Sequence, residues 1–161
     1  AATAESTAAS LGHFCGSEML SHPSFNDLKT RSGGGTRFPQ ADADGLLRLN
    51  PGHPPVETAM VFLERLKEAI EGLRVRAGLN EIDHLVATQI SPSFLNMLRR
   101  QLKLREDQVC VTGHDCGHSG SDLIIGLDVL KRSNKLHGNT LLLAAADYLF
   151  AAGLVTSDPV E

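Results

Sequence analysis

Residues Gln108–Arg132 read QVCVTGHDCGHSGSDLIIGLDVLKR. A short apolar run, QVCVT (108–112), enters the eleven residues Thr112–Asp122, which hold two histidines, one cysteine, two aspartates, two serines and three glycines. The apolar LIIGLDVLKR follows. The polar segment therefore lies where a strand ends and a helix begins, which is where open α/β sheets place their sites.

The same rhythm extends in both directions. HLVAT (84–88) is a short apolar strand, and Ser91 or Ser93 can cap a helix running to about Leu102. The spacing predicts a further helix over about Ser119–Arg132. HGN (137–139) is a turn, and TLLLAAAD (140–147) is apolar throughout, as a strand buried on both faces should be. LFAAGLV (149–155) follows as an antiparallel strand. In VETAMVFLERLKEAIEGLRVRAG (56–78), Met60, Leu63, Leu66, Ile70 and Leu73 recur at helical spacing, and Gly78 is a natural stop. Residues 1–55 form an irregular, loop-rich segment with SGGGTRFPQADADG (32–45) and NPGHPP (50–55) as turn chemistry; short extended pieces are expected at Gly12–Cys15 and Asp27–Thr30. Residues 56–161 form the core. Helices alternating with short apolar strands indicate an α/β layered fold, with a mixed, mainly parallel sheet and helices on its faces.

Bulk composition narrows the function. The chain has 161 residues, 42% of them hydrophobic, which suits one domain. Only 4% are aromatic, with no Trp, so the core is aliphatic. The net charge is −4 with no Lys/Arg block, so nucleic acid is not an expected partner. No apolar run approaches the roughly 18 residues of a spanning helix, so no membrane is expected. Cys15, Cys110 and Cys116 are odd in number and read as thiols of a reducing, cytoplasmic compartment. The start, AATAEST, lacks Met and has no signal-peptide pattern, and reads as a processed terminus or a piece of a longer protein.

The polar segment has several readings. GHSGS (117–121) nearly matches G-x-S-x-G of a nucleophile elbow, but Ser121 replaces the final Gly and only His137 lies downstream. His114, Cys116 and His118 are metal-ligand types, with His84 and Cys110 as recruits, but their spacing is tight and no metal is expected. The simplest reading is a Gly-rich loop whose Ser119 or Ser121 caps a helix, with Asp122 in its first turn. His13, His22 and His53 read as solvent-facing, and Cys110 as core.

Four pieces, in order, resemble the C-terminal half of a ketoacyl synthase III-type (3-oxoacyl-ACP synthase III) condensing enzyme of the thiolase fold. SFNDLKTRSGGGTR (24–37) resembles a segment ending Gly-Gly-Gly-Ser-Arg, and IDHLVATQIS (82–91) the motif V-P-H-Q-A-N. LKLREDQVCVTGHDCGHSGSD (102–122) resembles the stretch ending Y-G-N-T-S-A-A-S, and HGNTLLLAAADYLFAAGLV (137–155) the closing hairpin. The resemblance implies one half of a thiolase-like layered fold. It also implies an acyltransferase or condensing activity on acyl groups held by coenzyme A or an acyl carrier protein, with no cofactor. The nucleophilic Cys would come from an N-terminal half outside this chain. A homo- or heterodimer and a role in fatty-acid or polyketide biosynthesis are further implications.

On that resemblance the family His falls on Thr88, followed by a retained Gln89, and the family Asn falls on His118 after a retained Gly117. The Asn and Arg after the His fall on Ser91 and Ser93, and AADYLF (145–150) replaces the closing Gly-rich loop. His118 is then the candidate base, Thr88 a pocket donor, Asp115 or Asp122 the group orienting His118, and Cys116 a pocket-lining or merely small loop residue. Thr88 cannot act as a base near neutral pH. A non-catalytic partner subunit of an active condensing enzyme is therefore the alternative.

Overall fold

Helix α1 (Pro55–Ala77) forms where the apolar spacing places it. Proline opens it, Glu57 lies in its first turn, and Arg74 and Arg76 lie in its last. Gly78 ends it at φ 68°, a left-handed conformation that glycine adopts without strain, and its N–H donates to Arg74 O at 3.0 Å. Leu63, Leu66, Ile70 and Leu73 are buried together with Phe62 and Ala69. Met60, expected on this stripe, is 60% exposed, so the buried face begins at Phe62 and the first turn overhangs the described core.

The computed structural model describes residues 12–25, 29–30, 48–49, 52, 54–112, 121–146 and 149–157. Strands β1 (His13–Ser21), β4 (His84–Ala87), β5 (Val109–Cys110), β6 (Gly138–Ala146) and β7 (Leu149–Ser157) form one sheet in the order β1-β7-β6-β4-β5. Strand β4 runs parallel to β5 and β6, while β6–β7 and β7–β1 are antiparallel. Strands β2 (Lys29–Thr30) and β3 (Arg48–Leu49) pair separately. The mixed sheet with helices on its faces is as expected; among the described residues the five-stranded sheet has two parallel and two antiparallel pairings. The antiparallel share grows because β1 extends far beyond the short piece expected at Gly12–Cys15. Its register slips between Phe14 and Gly16, which hides the alternation that marks a strand. Of the expected turn at residues 137–139, Gly138 and Asn139 already belong to β6.

Helices α1 and α2 (Pro92–Gln101) cover one face. Phe62 there meets Phe94 at 6.4 Å and Phe150 at 4.8 Å, both edge to face. Helix α3 (Ser121–Arg132) lies on the other face against β4, β5 and β6. On that side it buries Leu127 and Leu130 against Val86 and Cys110. The fit is close: a Cβ on Gly126 would overlap Cγ1 of Val86. The Cys110 thiol donates to Gly126 O at 3.5 Å, and burial pushes its pKa up, away from nucleophile chemistry. Among the described residues no helix is long and apolar enough to cross a membrane.

At the start of β4, His84 is buried, with neither Nδ1 nor Nε2 hydrogen-bonded. Its ring meets that of His137 at 4.9 Å, edge to face. Burial first, and then the charge of His137, lower its pKa; Lys135 adds to this, while Asp83 and Asp107 oppose it. The unfolded chain therefore takes up a proton near the ordinary value of about 6.5, before the folded protein does. Stability is fully present above that pH and declines as pH falls through it. Urea midpoints at pH 7.5 and 5.5 should show this decline, and His84→Leu should reduce it. An equal decline in both proteins would remove His84 as its source.

Candidate active site

The parallel strands β4 and β5 end side by side, and the helices that follow them, α2 and α3, start at the same edge. The apolar run His84–Ala87 gives way there to Thr88 and Gln89, both buried. Most polar groups of this pair have a specific partner. The Thr88 N–H donates to Leu143 O at 2.9 Å, its carbonyl accepts from the Ile90 N–H at 2.9 Å, and its Oγ1 accepts from the Ala145 N–H at 3.3 Å. The hydroxyl oxygen is thus anchored on β6. A hydroxyl keeps one proton to donate after accepting a bond.

Gln89 bridges the two strand ends. Its Nε2 donates to Ala87 O at 2.8 Å and to Cys110 O at 3.4 Å, and its Oε1 accepts from the Thr112 N–H at 3.4 Å. Its backbone N–H donates to Oδ2 of Asp122 at 2.8 Å, across 33 positions of sequence. Asp122 is fully buried in the first turn of α3, where the helix start favours a negative charge. Of the two serines proposed as cap of α2, Ser91 serves: its Oγ accepts from the Phe94 N–H at 3.1 Å. This also gives Ser91 a structural task at the position where the resemblance places an Asn.

The structure thus brings Thr88, Gln89, Ser91 and Asp122 to one edge of the sheet. Asp115, Cys116, Gly117 and His118 lie outside the described residues, as do His114, Ser119, Asp147, Tyr148 and His53. Asp122, proposed as one of two groups to orient His118, holds the Gln89 N–H. His84 and Cys110, named as possible metal recruits, are out of register: Cys110 pairs with Val86, two residues beyond His84.

Sequence reasoning missed a cavity of about 380 Å³ beside this edge, between α2 and β5. Gln89, Ser91, Leu95, Arg99, Val109 and Val111 line it. Arg99 is held by Asn96 Oδ1 at 2.9 Å and by Leu104 O at 3.3 Å. The available signal was the recurrence of Pro92, Leu95, Asn96 and Arg99 on one side of α2, at steps of three and four residues.

Residues 74–157 match the family described as 3-oxoacyl-[acyl-carrier-protein (ACP)] synthase III C terminal. The chain belongs to that family. No curated protein matches it in sequence. Among solved structures, 3-oxoacyl-(acyl carrier protein) synthase III from Pseudomonas aeruginosa PAO1 aligns with a TM-score of 0.73 at 15% identity, over 100% of this chain and 48% of that one. The β-ketoacyl-[acyl carrier protein] synthase III of Thermus thermophilus aligns at 0.73 and 17% identity, over 92% of this chain and 47% of that one. An OleA variant from Xanthomonas campestris aligns at 0.72 and 14% identity, over 90% and 40%. The chain therefore has one half of the thiolase-like fold and spans about half the length of these relatives.

Proposed function

We propose that this chain forms one wall of the active site of a ketoacyl synthase III-type acyltransferase or condensing enzyme. It would work on acyl groups held as thioesters of coenzyme A or an acyl carrier protein, in fatty-acid or polyketide-type biosynthesis in the cytoplasm. The observation that carries this reading is the gathering of Thr88, Gln89, Ser91 and Asp122 at the ends of β4 and β5. The nucleophile comes from the other half of the fold. As it adds to the thioester carbonyl, His118 takes its proton, and the departing thiolate receives that proton back. The Thr88 hydroxyl, its oxygen held by the Ala145 N–H, donates to the carbonyl oxygen as charge develops there.

The other half also has a surface to meet. On the α3 side of the sheet, no helix among the described residues crosses β1 or β7, where Met19 and Leu149 are exposed. The outer side of α3 adds Ile124, Ile125 and Val129. We propose that the other half, from the same chain or a partner, covers this face, and that the assembly is a dimer.

One observation favours a second reading. The Ala145–Thr88 bond equally suits a strand-end residue with no chemistry, as in a non-catalytic thiolase-fold partner. Loading separates the two. The complete protein is incubated with acyl-coenzyme A and acyl-carrier thioesters, and covalent acylation and discharge are followed by intact mass. His118→Ala should slow loading or discharge by about a hundredfold or more. Thr88→Val should slow it by about tenfold, the value of one hydrogen bond of ordinary strength. No loading by the wild type, or no change in the variants, would favour the partner subunit.

A further inference from the structure

Asp122 has no exposed surface, and a carboxylate removed from water is costly unless hydrogen bonds and favourable dipoles compensate it. The Gln89 N–H supplies one such bond and the start of α3 the dipole. The partner is the informative part. The Thr88–Gln89 peptide links the residue that follows β4 to the residue that clamps β4 to β5. Thr88 is tied to β6 through Leu143 O and the Ala145 N–H, and the Gln89 side chain is tied to Ala87, Cys110 and Thr112. The amide between them is held by α3, from the opposite face of the sheet. Three elements thus converge on one peptide, and Asp122 is the contact that brings in α3.

The backbone donors of this turn are also committed. The N–H groups of Thr88, Gln89 and Ile90 go to Leu143 O, Asp122 Oδ2 and Thr88 O. The donor left for a ligand on this turn is the Thr88 hydroxyl proton, whose direction depends on how the turn is held.

We infer that Asp122 is a positioning residue: through the Gln89 amide it sets the placement of Thr88, coupling the start of α3 to the donor at the end of β4. The inference rests on the proposed function for its catalytic consequence, but its structural core can be read without turnover. The Asp122 bond is made to the Gln89 N–H, whereas the Ala145 N–H, which donates to Thr88 Oγ1, reports the position of the Thr88 hydroxyl oxygen.

The test uses the complete protein with Asp122→Asn, which keeps an acceptor oxygen in place, and Asp122→Ser, which still suits a helix start but is too short to reach Gln89. Amide hydrogen exchange at Gln89 and Ala145 is followed together with acyl loading, resolved into kcat and KM. In Asp122→Ser, protection of both amides should fall by about tenfold or more, corresponding to one lost hydrogen bond. The kcat for loading should fall by about the same factor with KM nearly constant. Asp122→Asn should restore both. If Asp122→Ser does not fold, Asp122→Glu, which displaces the carboxylate by one methylene, carries the same expectations. Loss of protection at Gln89 alone, or equal losses in the Asn and Ser variants, would overturn the inference. If the wild type loads no acyl group, the proposed function fails, and the Ala145 amide still decides whether Asp122 positions Thr88.

Discussion

Gly126→Ala should destabilise the complete protein by about 2 kcal/mol, and Gly126→Leu by about 4 kcal/mol or more. Taken alone, the helix predicts the opposite sign for alanine, which favours a helix interior over glycine by about 1 kcal/mol. Packing overrides that preference. Gly126 faces β4 so closely that an added Cβ overlaps Cγ1 of Val86 and meets its Cβ and Cγ2 at 3.4 Å. Val86 has no exposed surface, and its branched side chain has little rotameric freedom, so it cannot step aside cheaply. Helix α3 must shift instead. That shift would loosen the Cys110–Gly126 contact and pull Asp122 away from the Gln89 N–H, so the loss should reach the candidate site. Denaturant unfolding measures the energy. Val86→Ala should rescue Gly126→Ala, with a coupling of about 1–2 kcal/mol in a double-mutant cycle. Strict additivity would show that the close approach is not the cause.

Gly126 also marks where sequence reasoning stops. The stripe of α1 and its Gly78 stop were legible because amphipathic spacing and helix termination act within one segment. Strands β4, β6 and β7 were legible because buried strands require apolar runs. Strand β1 was mostly illegible. Six of its nine residues are exposed, its register slips after Phe14, and its partner β7 lies more than 120 residues away. The same limit governs the site. Its edge could be placed from the strand–helix rhythm, and Thr88 and Gln89 from family motifs. Nothing local announces that Asp122 reaches Gln89, because that bond exists only once α3 has packed across β4. Gln89 itself carried a weak signal: an amide directly after an apolar strand must either face water or satisfy backbone groups, and it does the latter.

Replacing Ile124, Ile125 and Val129 together by Asp should cost the complete protein about 3 kcal/mol or more, while Val75→Asp should change it by less than about 0.5 kcal/mol. On exposure alone the two experiments look alike. Val75 is 90% exposed, and Ile124, Ile125 and Val129 are 64%, 36% and 38% exposed. Their settings differ. Val75 stands between Arg74 and Arg76 on the outer side of α1, where an isolated apolar residue is ordinary. The three α3 residues share one side of a twelve-residue helix, all are β-branched, and helix propensity does not favour them. Beside them the sheet leaves Met19 and Leu149 uncovered on the same side. Apolar residues in this number on one side of the fold, flanking the Asp128–Arg132 ion pair, mark a surface that another element can bury. This chain spans 48%, 47% and 40% of the three solved structures named above, and the other half proposed above is the element that would bury this face. Three carboxylates placed there would be desolvated without partners, whereas one at position 75 would stay in water. Unfolding of both variants in the complete protein decides the matter. If the triple substitution is as mild as Val75→Asp, the face is open in the complete protein, and the other half must be held elsewhere.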